Sequence, residues 1–449
     1  MSEKPTITII GAASTTFGPK VLRDILNHPG LGGSTYHFVD INEERLAVYD
    51  KLAHRLNGHL KTPSTIHSST NRRALLPESD YVILSVDTGH YNTWRQDFDK
   101  PVEFGIRQIY GELGGPGGLF HSLRQIPLHL EIAADIAELC PNARILIASN
   151  PLNRICLALE RYANLGQIVG LCHGAEMAPH LYLNRVLGID GYDMDFLAVG
   201  VNHFTWILDI RRKSTGEDLY PLMKEVLARI PPDEQVLSRK MLEVYGYFPG
   251  TLDTHFGEYI PFAYEFGYRG LDFNSYLAQE QSRWQYLKEL AEDDAEWDQY
   301  EQRYGDQSAL SKELRLDQFF APRSWADTLA FPIINALFTN ERHYMPAINL
   351  LNQGTIDNLP ADVFVEGPAM IDGAGIHPFR IGPLPKPLAA FIRRDIDQME
   401  MIVEAAVKGD RNLVLQAMLL DPVVDHVGNA ERLLDEMMRI NAPYLPQFA

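Results

Sequence analysis

Cysteine is scarce in this sequence, with only Cys140, Cys156 and Cys172 among 449 residues. That is too few for a disulfide framework in a chain of this length, so a reducing, cytoplasmic setting is expected. Long hydrophobic runs are missing too. No stretch approaches the ~18 consecutive apolar residues of a membrane-spanning helix. Met1-Ser2-Glu3-Lys4-Pro5 runs into a strand-like segment without an apolar signal region. Basic charge is in deficit: 40 Lys and Arg stand against 59 Asp and Glu, a formal net charge of −19. A nucleic-acid partner needs a basic stripe or patch, so neither nucleic acid nor membrane is expected as a partner. What remains is a globular composition, 45% hydrophobic and 22% charged, long enough for two closely packed units.

The first 200 residues alternate short β-branched runs with helical patterns. Thr6 to Ile10, Tyr36 to Val39, Tyr81 to Val86, Ala143 to Ala148 and Ile168 to Leu171 read as buried strands. Phe17 to Asn27, a stretch after Asn42, and Leu123 to Leu139 read as helices. Such alternation predicts an α/β fold with a mainly parallel, helix-covered sheet. From about Asp195 the pattern changes to longer strands, Phe196 to Val199 and Trp206 to Leu208. A polar surface helix is expected over Gln279 to Arg303. Helices separated by Gly409-Asp410 and Asp421-Pro422 are expected between Leu388 and Met438. The expected division is 1–195, a dinucleotide-binding domain, and 196–449, an intimately packed α+β domain for substrate and metal.

Ile9-Ile10-Gly11-Ala12-Ala13-Ser14-Thr15-Thr16-Phe17-Gly18 joins the first strand to the first helix, where a dinucleotide fold grips pyrophosphate with backbone N–H groups. Gly11 suits the tight turn, although Ala13 stands where a second glycine is usual. Asp40, ending the second strand, suits the adenine ribose hydroxyls and favours NAD over NADP. A plain strand-to-helix turn with a capping Asp40 would share these residues; the three signals together favour the nucleotide.

Cys172 follows an apolar strand and His203 lies between two apolar runs. A thiolate and an imidazole suit a borderline divalent metal and leave room for substrate oxygens. Their spacing alone does not bring them together, and each residue could equally be structural. Gly111-Glu112-Leu113-Gly114-Gly115-Pro116-Gly117-Gly118 reads as a flexible loop before the long helix, able to close over a ligand. Ser149-Asn150-Pro151 follows a strand at the carboxyl end, where Asn150 can meet a sugar hydroxyl. Asp253, His255 and Glu258 form a polar cluster that could supply a base or simply cap a helix.

These segments together resemble glycoside hydrolase family 4, the NAD- and metal-dependent glycosidases. The likeness runs through Gly11 to Ser14 with Phe17, Val39-Asp40-Ile41-Asn42, Gly114 to Gly118, Ser149-Asn150-Pro151, Cys172-His173-Gly174, Val201-Asn202-His203, Asp253-Thr254-His255 with Glu258-Tyr259, and Val365-Glu366-Gly367-Pro368. It implies a Rossmann-type fold like that of lactate and malate dehydrogenases, with an added α+β part closing the site. It also implies glycoside cleavage outside the two-carboxylate scheme: NAD⁺ oxidises the sugar at C3, the C2 proton becomes acidic, and a divalent metal, typically manganese, stabilises the enediolate. Carried onto this chain, the resemblance makes Cys172 and His203 the metal ligands. Gly11, Ala12, Ala13, Ser14, Phe17 and Asp40 become the NAD contacts, and Asn150 a substrate contact. His173 would assist the leaving group. Asp253 is implied as the base, with Tyr245, Tyr247 or Tyr259 in its place where a tyrosine is used. Cys172-His173-Gly174 is similar to the branch acting on α-uronides, so an α-galacturonidase or α-glucuronidase is expected. A homodimer or homotetramer is expected with it. An α-galactosidase or α-glucosidase, an NAD-dependent sugar or 2-hydroxy-acid dehydrogenase using His203 as proton shuttle, and a non-catalytic NAD-binding regulator are the alternatives.

Overall fold

The computed structural model describes residues 4–58, 63–266, 272–292 and 328–449. The first half comprises β1 (Thr6–Ile10), α1 (Gly18–Asn27), β2 (Thr35–Val39), α2 (Glu43–Asn57), β3 (Thr65–Ser69), β4 (Tyr81–Leu84), α3 (His90–Glu103), α4 (Gly115–Leu139), β5 (Arg144–Ile147), α5 (Leu152–Tyr162) and β6 (Ile168–Gly170). There follow β7 (Met194–Val201), β8 (Phe204–Arg212), α6 (Val236–Tyr245), β9 (Phe248–Pro249) and α7 (Phe273–Glu292). The chain ends with β10 (His343–Leu351), β11 (Phe364–Asp372), β12 (Gly375–Pro378), α8 (Lys386–Lys408), α9 (Arg411–Leu420) and α10 (Val427–Asn441).

All the strands share one sheet, in the order β3-β2-β1-β4-β5-β6-β10-β11-β7-β8-β9, with β12 paired to β11. The strands from β3 to β6 are parallel, and strand order reverses between β1 and β4. That reversal opens a crevice at the carboxyl ends of the strands, the place where open α/β sheets hold ligands. Beyond β6 the pairing turns antiparallel, through Asn349 opposite Gly170. The architecture is therefore a Rossmann-type α/β fold whose sheet continues into an antiparallel C-terminal part. Apolar runs form the parallel strands because both their faces are covered: Ile7, Ile9, Ile83, Ile145 and Ile147 are fully buried. Around the long helices a second core gathers Phe120, Leu123 and Ile126 of α4 with Ile392, Ile396 and Ile402 of α8. Each such side chain contributes about 1.5–3 kcal/mol of burial.

Two expectations need correction. The glycine-rich stretch before the long helix is not a mobile cover. Gly115-Pro116-Gly117-Gly118 is the buried first turn of α4. A Cβ on Gly118 would meet the Leu113 carbonyl at 2.2 Å, and one on Gly117 the Gly111 and Asp97 carbonyls at 2.7 Å, so the glycines serve close packing. The polar helix begins earlier than expected, at Phe273, and residues 293–303 of that expectation lie outside the described residues. No described helix is long and apolar enough to cross a membrane.

Candidate active site

The nucleotide loop is built by close backbone approach. Gly11 has φ +87°, and a Cβ there would overlap the Ser85 carbonyl oxygen at 2.0 Å, so only glycine fits between β1 and β4. The Ala13 N–H donates to Asp40 Oδ2 at 3.1 Å, while the Asn42 N–H donates to Asp40 Oδ1 at 2.9 Å. Asp40 thereby ties the end of β2 to the loop. Ser14 Oγ accepts from the Phe17 N–H at 3.1 Å, and Tyr49 Oη donates to the Ser14 carbonyl at 2.6 Å. Gly18 does the packing work of a third glycine, since a Cβ would strike the Tyr49 ring at 2.5 Å and the Ala12 carbonyl at 2.6 Å. A cavity of about 850 Å³ runs from this loop to Asn150, lined by Gly11, Ala13, Ser14, Phe17 and Asp40 at one end. Its volume and shaped glycine cradle suit a dinucleotide.

Cys172 and His203 meet. Cys172 follows β6, and His203 is the second residue of the tight turn joining β7 to β8, with Val201 paired to Phe204. Sγ and Nε2 lie 2.8 Å apart, and the Gly174 N–H donates to Sγ at 3.2 Å. His203 has φ +60°, a left-handed conformation that costs a branched-free side chain about 1–2 kcal/mol. Glycine would adopt that conformation without the cost. Burial, with His255 nearby, holds His203 well below the usual imidazole range, leaving it neutral and ready to donate a lone pair. Burial, with the Glu366 charge adding, pushes the Cys172 thiol up to about 12. Only a bound cation would make it a thiolate at neutral pH, and the N/S donor pair fits one. Among the described residues no group of three or more His, Cys, Asp or Glu side chains is gathered as a metal cage, which leaves coordination positions for substrate oxygens.

The other expected site residues fall around this pair in different ways. Asn150 Nδ2 donates to Glu112 Oε1 at 2.9 Å, at the cavity edge. His173 heads the short helix Gly174–Met177, with Nδ1 4.0 Å from Glu176 Oε1. Asp253 is turned elsewhere. Its Oδ1 accepts from the Ser238 N–H at 2.8 Å and from Ser238 Oγ, and its Oδ2 accepts from the Leu237 N–H at 2.8 Å. It caps the N-terminus of the preceding helix α6, so three donors already occupy its carboxylate. His255, two residues on, lies against His203 instead, with ring centroids 4.7 Å apart and planes at 87°. Burial lowers the His255 pKa, so it too is neutral.

With that geometry in place, the comparisons with known proteins have a structural meaning. The family 4 glycosyl hydrolase model matches residues 6–186, and the model of that family's C-terminal domain matches residues 198–424. The chain belongs to the family 4 glycosyl hydrolases. It is 32% identical over 482 residues to an alpha-glucosidase of Erwinia rhapontici, covering 98% of each. To an alpha-galactosidase of Bacillus subtilis it is 29% identical, covering 98% of this chain and 99% of the relative. To an alpha-galacturonidase of Thermoanaerobacter italicus it is 26% identical, covering 98% and 97%. A solved 6-phospho-alpha-glucosidase from gut microorganisms, in complex with NAD and Mn²⁺, matches with a TM-score of 0.80 at 20% identity, over 100% of both chains; that likeness shows the fold.

Several residues of this family 4 glycosyl hydrolase went unassigned from sequence. Glu112, inside the glycine-rich stretch, bonds Asn150, and its charge is felt at both Cys172 and His255. Asp87, just past β4, accepts from Gln125 and lies 3.5 Å from His121 Nε2. Asp87, Glu112 and His121 all line the cavity, and so do Tyr91, Trp94 and Tyr276. Trp94 meets Tyr110, Phe273 and Tyr276 edge-on, at 5.0, 5.2 and 5.5 Å between centroids. The position of Glu112 and Asp87 after glycines or strand ends was the available signal. No periodicity marks a residue that faces a cavity from a loop.

Proposed function

We propose that this chain is an NAD- and divalent-metal-dependent α-glycosidase acting on neutral α-hexosides. The contact that carries the reading is Cys172 Sγ beside His203 Nε2, next to a nucleotide cavity edged by Asn150 and Glu112. When bound, NAD would supply oxidation at the sugar and a manganese-like ion Lewis acidity; the solved relative is in complex with both. The chain's residues do the rest. Gly11, Ala12, Ala13, Ser14 and Phe17 cradle the pyrophosphate, and Asp40 faces the adenine ribose. Asn150 and Glu112 hold sugar hydroxyls as donor and acceptor. Cys172 and His203 hold the ion. His255, neutral and edge-on to His203, takes the role of base in this reading, because Asp253 is committed to capping α6. His173, beside Cys172 in the chain, is the proton source for the leaving group in this reading.

The neutral-sugar reading rests on the character of the cavity. Its sugar end presents the carboxylates of Asp87 and Glu112 and an aromatic wall of Tyr91, Trp94 and Tyr276. Among the described lining residues, Arg124 is committed to Asp97, Arg72 and Arg73 to Asp135, and Arg45 to Glu280. Carboxylates repel a uronate, while aromatic faces suit neutral sugar rings. The relatives named alpha-glucosidase and alpha-galactosidase support the same side. The second reading, an α-galacturonidase or α-glucuronidase, is favoured by Cys172-His173-Gly174 and the alpha-galacturonidase likeness. Assembly as a dimer or tetramer belongs to the family reading and is checked by sedimentation.

The test is release of 4-nitrophenol from α- and β-glucosides, galactosides and uronides with NAD⁺, Mn²⁺ and reductant, each omitted in turn. Release that requires both NAD⁺ and metal, without NADH accumulation, is the expected result. Steady NADH build-up points to a dehydrogenase, and a uronide preference reverses the sugar assignment.

A further inference from the structure

Four residues stand in one row across the seam of the sheet. Asn349 on β10 pairs with Gly170 on β6 and with Glu366 on β11, and Glu366 pairs with Gly200 on β7. The outer glycines sit shortly before Cys172 and His203; the inner two residues are polar and fully buried. The strands are drawn tightly together here, because a Cβ on Gly170 would come within 2.8 Å of the Asn349 Cβ. The Glu366 carboxylate faces the side chains of Asn202 and Asn349 and the backbone N–H of His203. Burial pushes the Glu366 carboxyl up to about 8, so its proton is held tightly here, and it lies within electrostatic range of Cys172.

These groups nevertheless do not close on one another. Both Glu366 oxygens, both Asn349 amide atoms, Asn202 Nδ2 and His203 Nδ1 lack a hydrogen bond of good geometry. A buried polar atom left without a partner costs about 1–3 kcal/mol, so a purely structural row would do better with apolar side chains. The arrangement makes sense around a charge not yet in place. A dication held by one thiolate and one neutral imidazole keeps a net positive charge in a low-dielectric site. Glu366 is a fully buried acid facing the His203 N–H, while Glu112 is bonded to Asn150 and Glu176 lies 4.0 Å from His173 and 3.8 Å from His180.

We propose that Glu366, together with Asn349 and Asn202, is the positioning residue and buried counter-charge for the dication held by Cys172 and His203. The row pulls in on the Asn202-His203 turn when the ion is bound, fixing the imidazole in its left-handed backbone position. This rests on the metal reading above.

The experiment is a titration of Mn²⁺ into the full chain without NAD⁺, following free Mn²⁺ by electron paramagnetic resonance. Wild type, Cys172→Ser, Glu366→Gln and Glu366→Asp are compared, with NAD⁺ affinity and Tm measured for each. Glu366→Gln is expected to weaken Mn²⁺ binding about 10- to 100-fold at unchanged NAD⁺ affinity and without loss of Tm. Glu366→Asp, which keeps the charge, is expected to restore part of the affinity. Mn²⁺ binding within about twofold of wild type in Glu366→Gln overturns the proposal. So does an aspartate variant no better than the glutamine one. Wild type that binds no Mn²⁺ overturns the metal reading and this inference with it, whereas binding abolished by Cys172→Ser upholds the metal reading separately. Should Glu366→Gln not fold, Asn349→Ser carries the test: weaker Mn²⁺ binding at unaltered NAD⁺ affinity is expected, and unchanged binding overturns the proposal.

Discussion

The two ends of the cleft are finished to different degrees. At the nucleotide loop the polar groups are already paired: Asp40 holds the Ala13 and Asn42 amides, Ser14 holds Phe17, and Tyr49 holds Ser14. At the Cys172–His203 end, Glu366, Asn349, Asn202 and His203 carry buried atoms that face one another without a hydrogen bond of good geometry. These bonds hold the shape of the loop without help from a nucleotide. A charge-binding pocket has no such internal substitute; its groups wait for the ion. The nucleotide end is preorganised by its own bonds, and the metal end is completed by what it binds.

Substitutions at the two ends separate these conditions. The largest effect is expected from Cys172→Ser: glycoside turnover falls at least about 1,000-fold, while Tm shifts by little because the sulfur packs rather than bonds the fold together. A melting curve beside a rate assay checks both halves, and a large fall in Tm would remove the contrast. Next comes Gly11→Ala, whose methyl would run into the Ser85 carbonyl at 2.0 Å in a left-handed conformation. It is expected to cost at least about 2 kcal/mol of stability and to abolish measurable NAD⁺ binding. If calorimetry finds near-normal NAD⁺ affinity, the cradle is not where it is drawn here.

Asp253→Asn is expected to lower stability by about 1 kcal/mol through the cap of α6, leaving turnover within about tenfold of wild type. His255→Ala, in contrast, should remove turnover and the exchange of the substrate C2 proton with solvent. If exchange is lost with Asp253→Asn and kept without His255, the base reverts to the aspartate. The smallest effect is in pH. Burial pushes the Asp395 carboxyl up to about 6, against a usual 3.8, with Arg154 and Arg394 partly opposing. The native state thus holds this proton more tightly than the unfolded chain. Its stabilisation is complete below pH 3.8 and is lost as pH rises through about 6. Asp395→Asn is expected to flatten the fall of Tm across that window, by no more than about 3 kcal/mol.

The sequence was legible where periodicity or local chemistry dominates. The strands from Thr6, Tyr81, Arg144 and Ile168 stand out because they are buried on both faces, and the Gly409 and Asp421 breaks between helices fall where expected. β3 was missed since Thr-Ile-His-Ser-Ser is a polar edge strand without an apolar run. The buried first turn of α4 was misread as a loop because a glycine cluster gives the same local signal for mobility and for close packing. The pairing of Cys172 with His203 came from the resemblance, as no spacing rule links two strand ends. Glu366 and Asp87 acquire meaning only through neighbours far away in the chain.

The row Gly170–Asn349–Glu366–Gly200 also sets an order of events during synthesis. The strands that lead to Cys172 and His203 are early, yet β10 and β11, which emerge much later, are inserted between them. Until residue 372 at the end of β11 has been made, the two inner strands that join β6 to β7 in the sheet are missing. The row that seats both residues is therefore completed by strands made later than the segments that carry them.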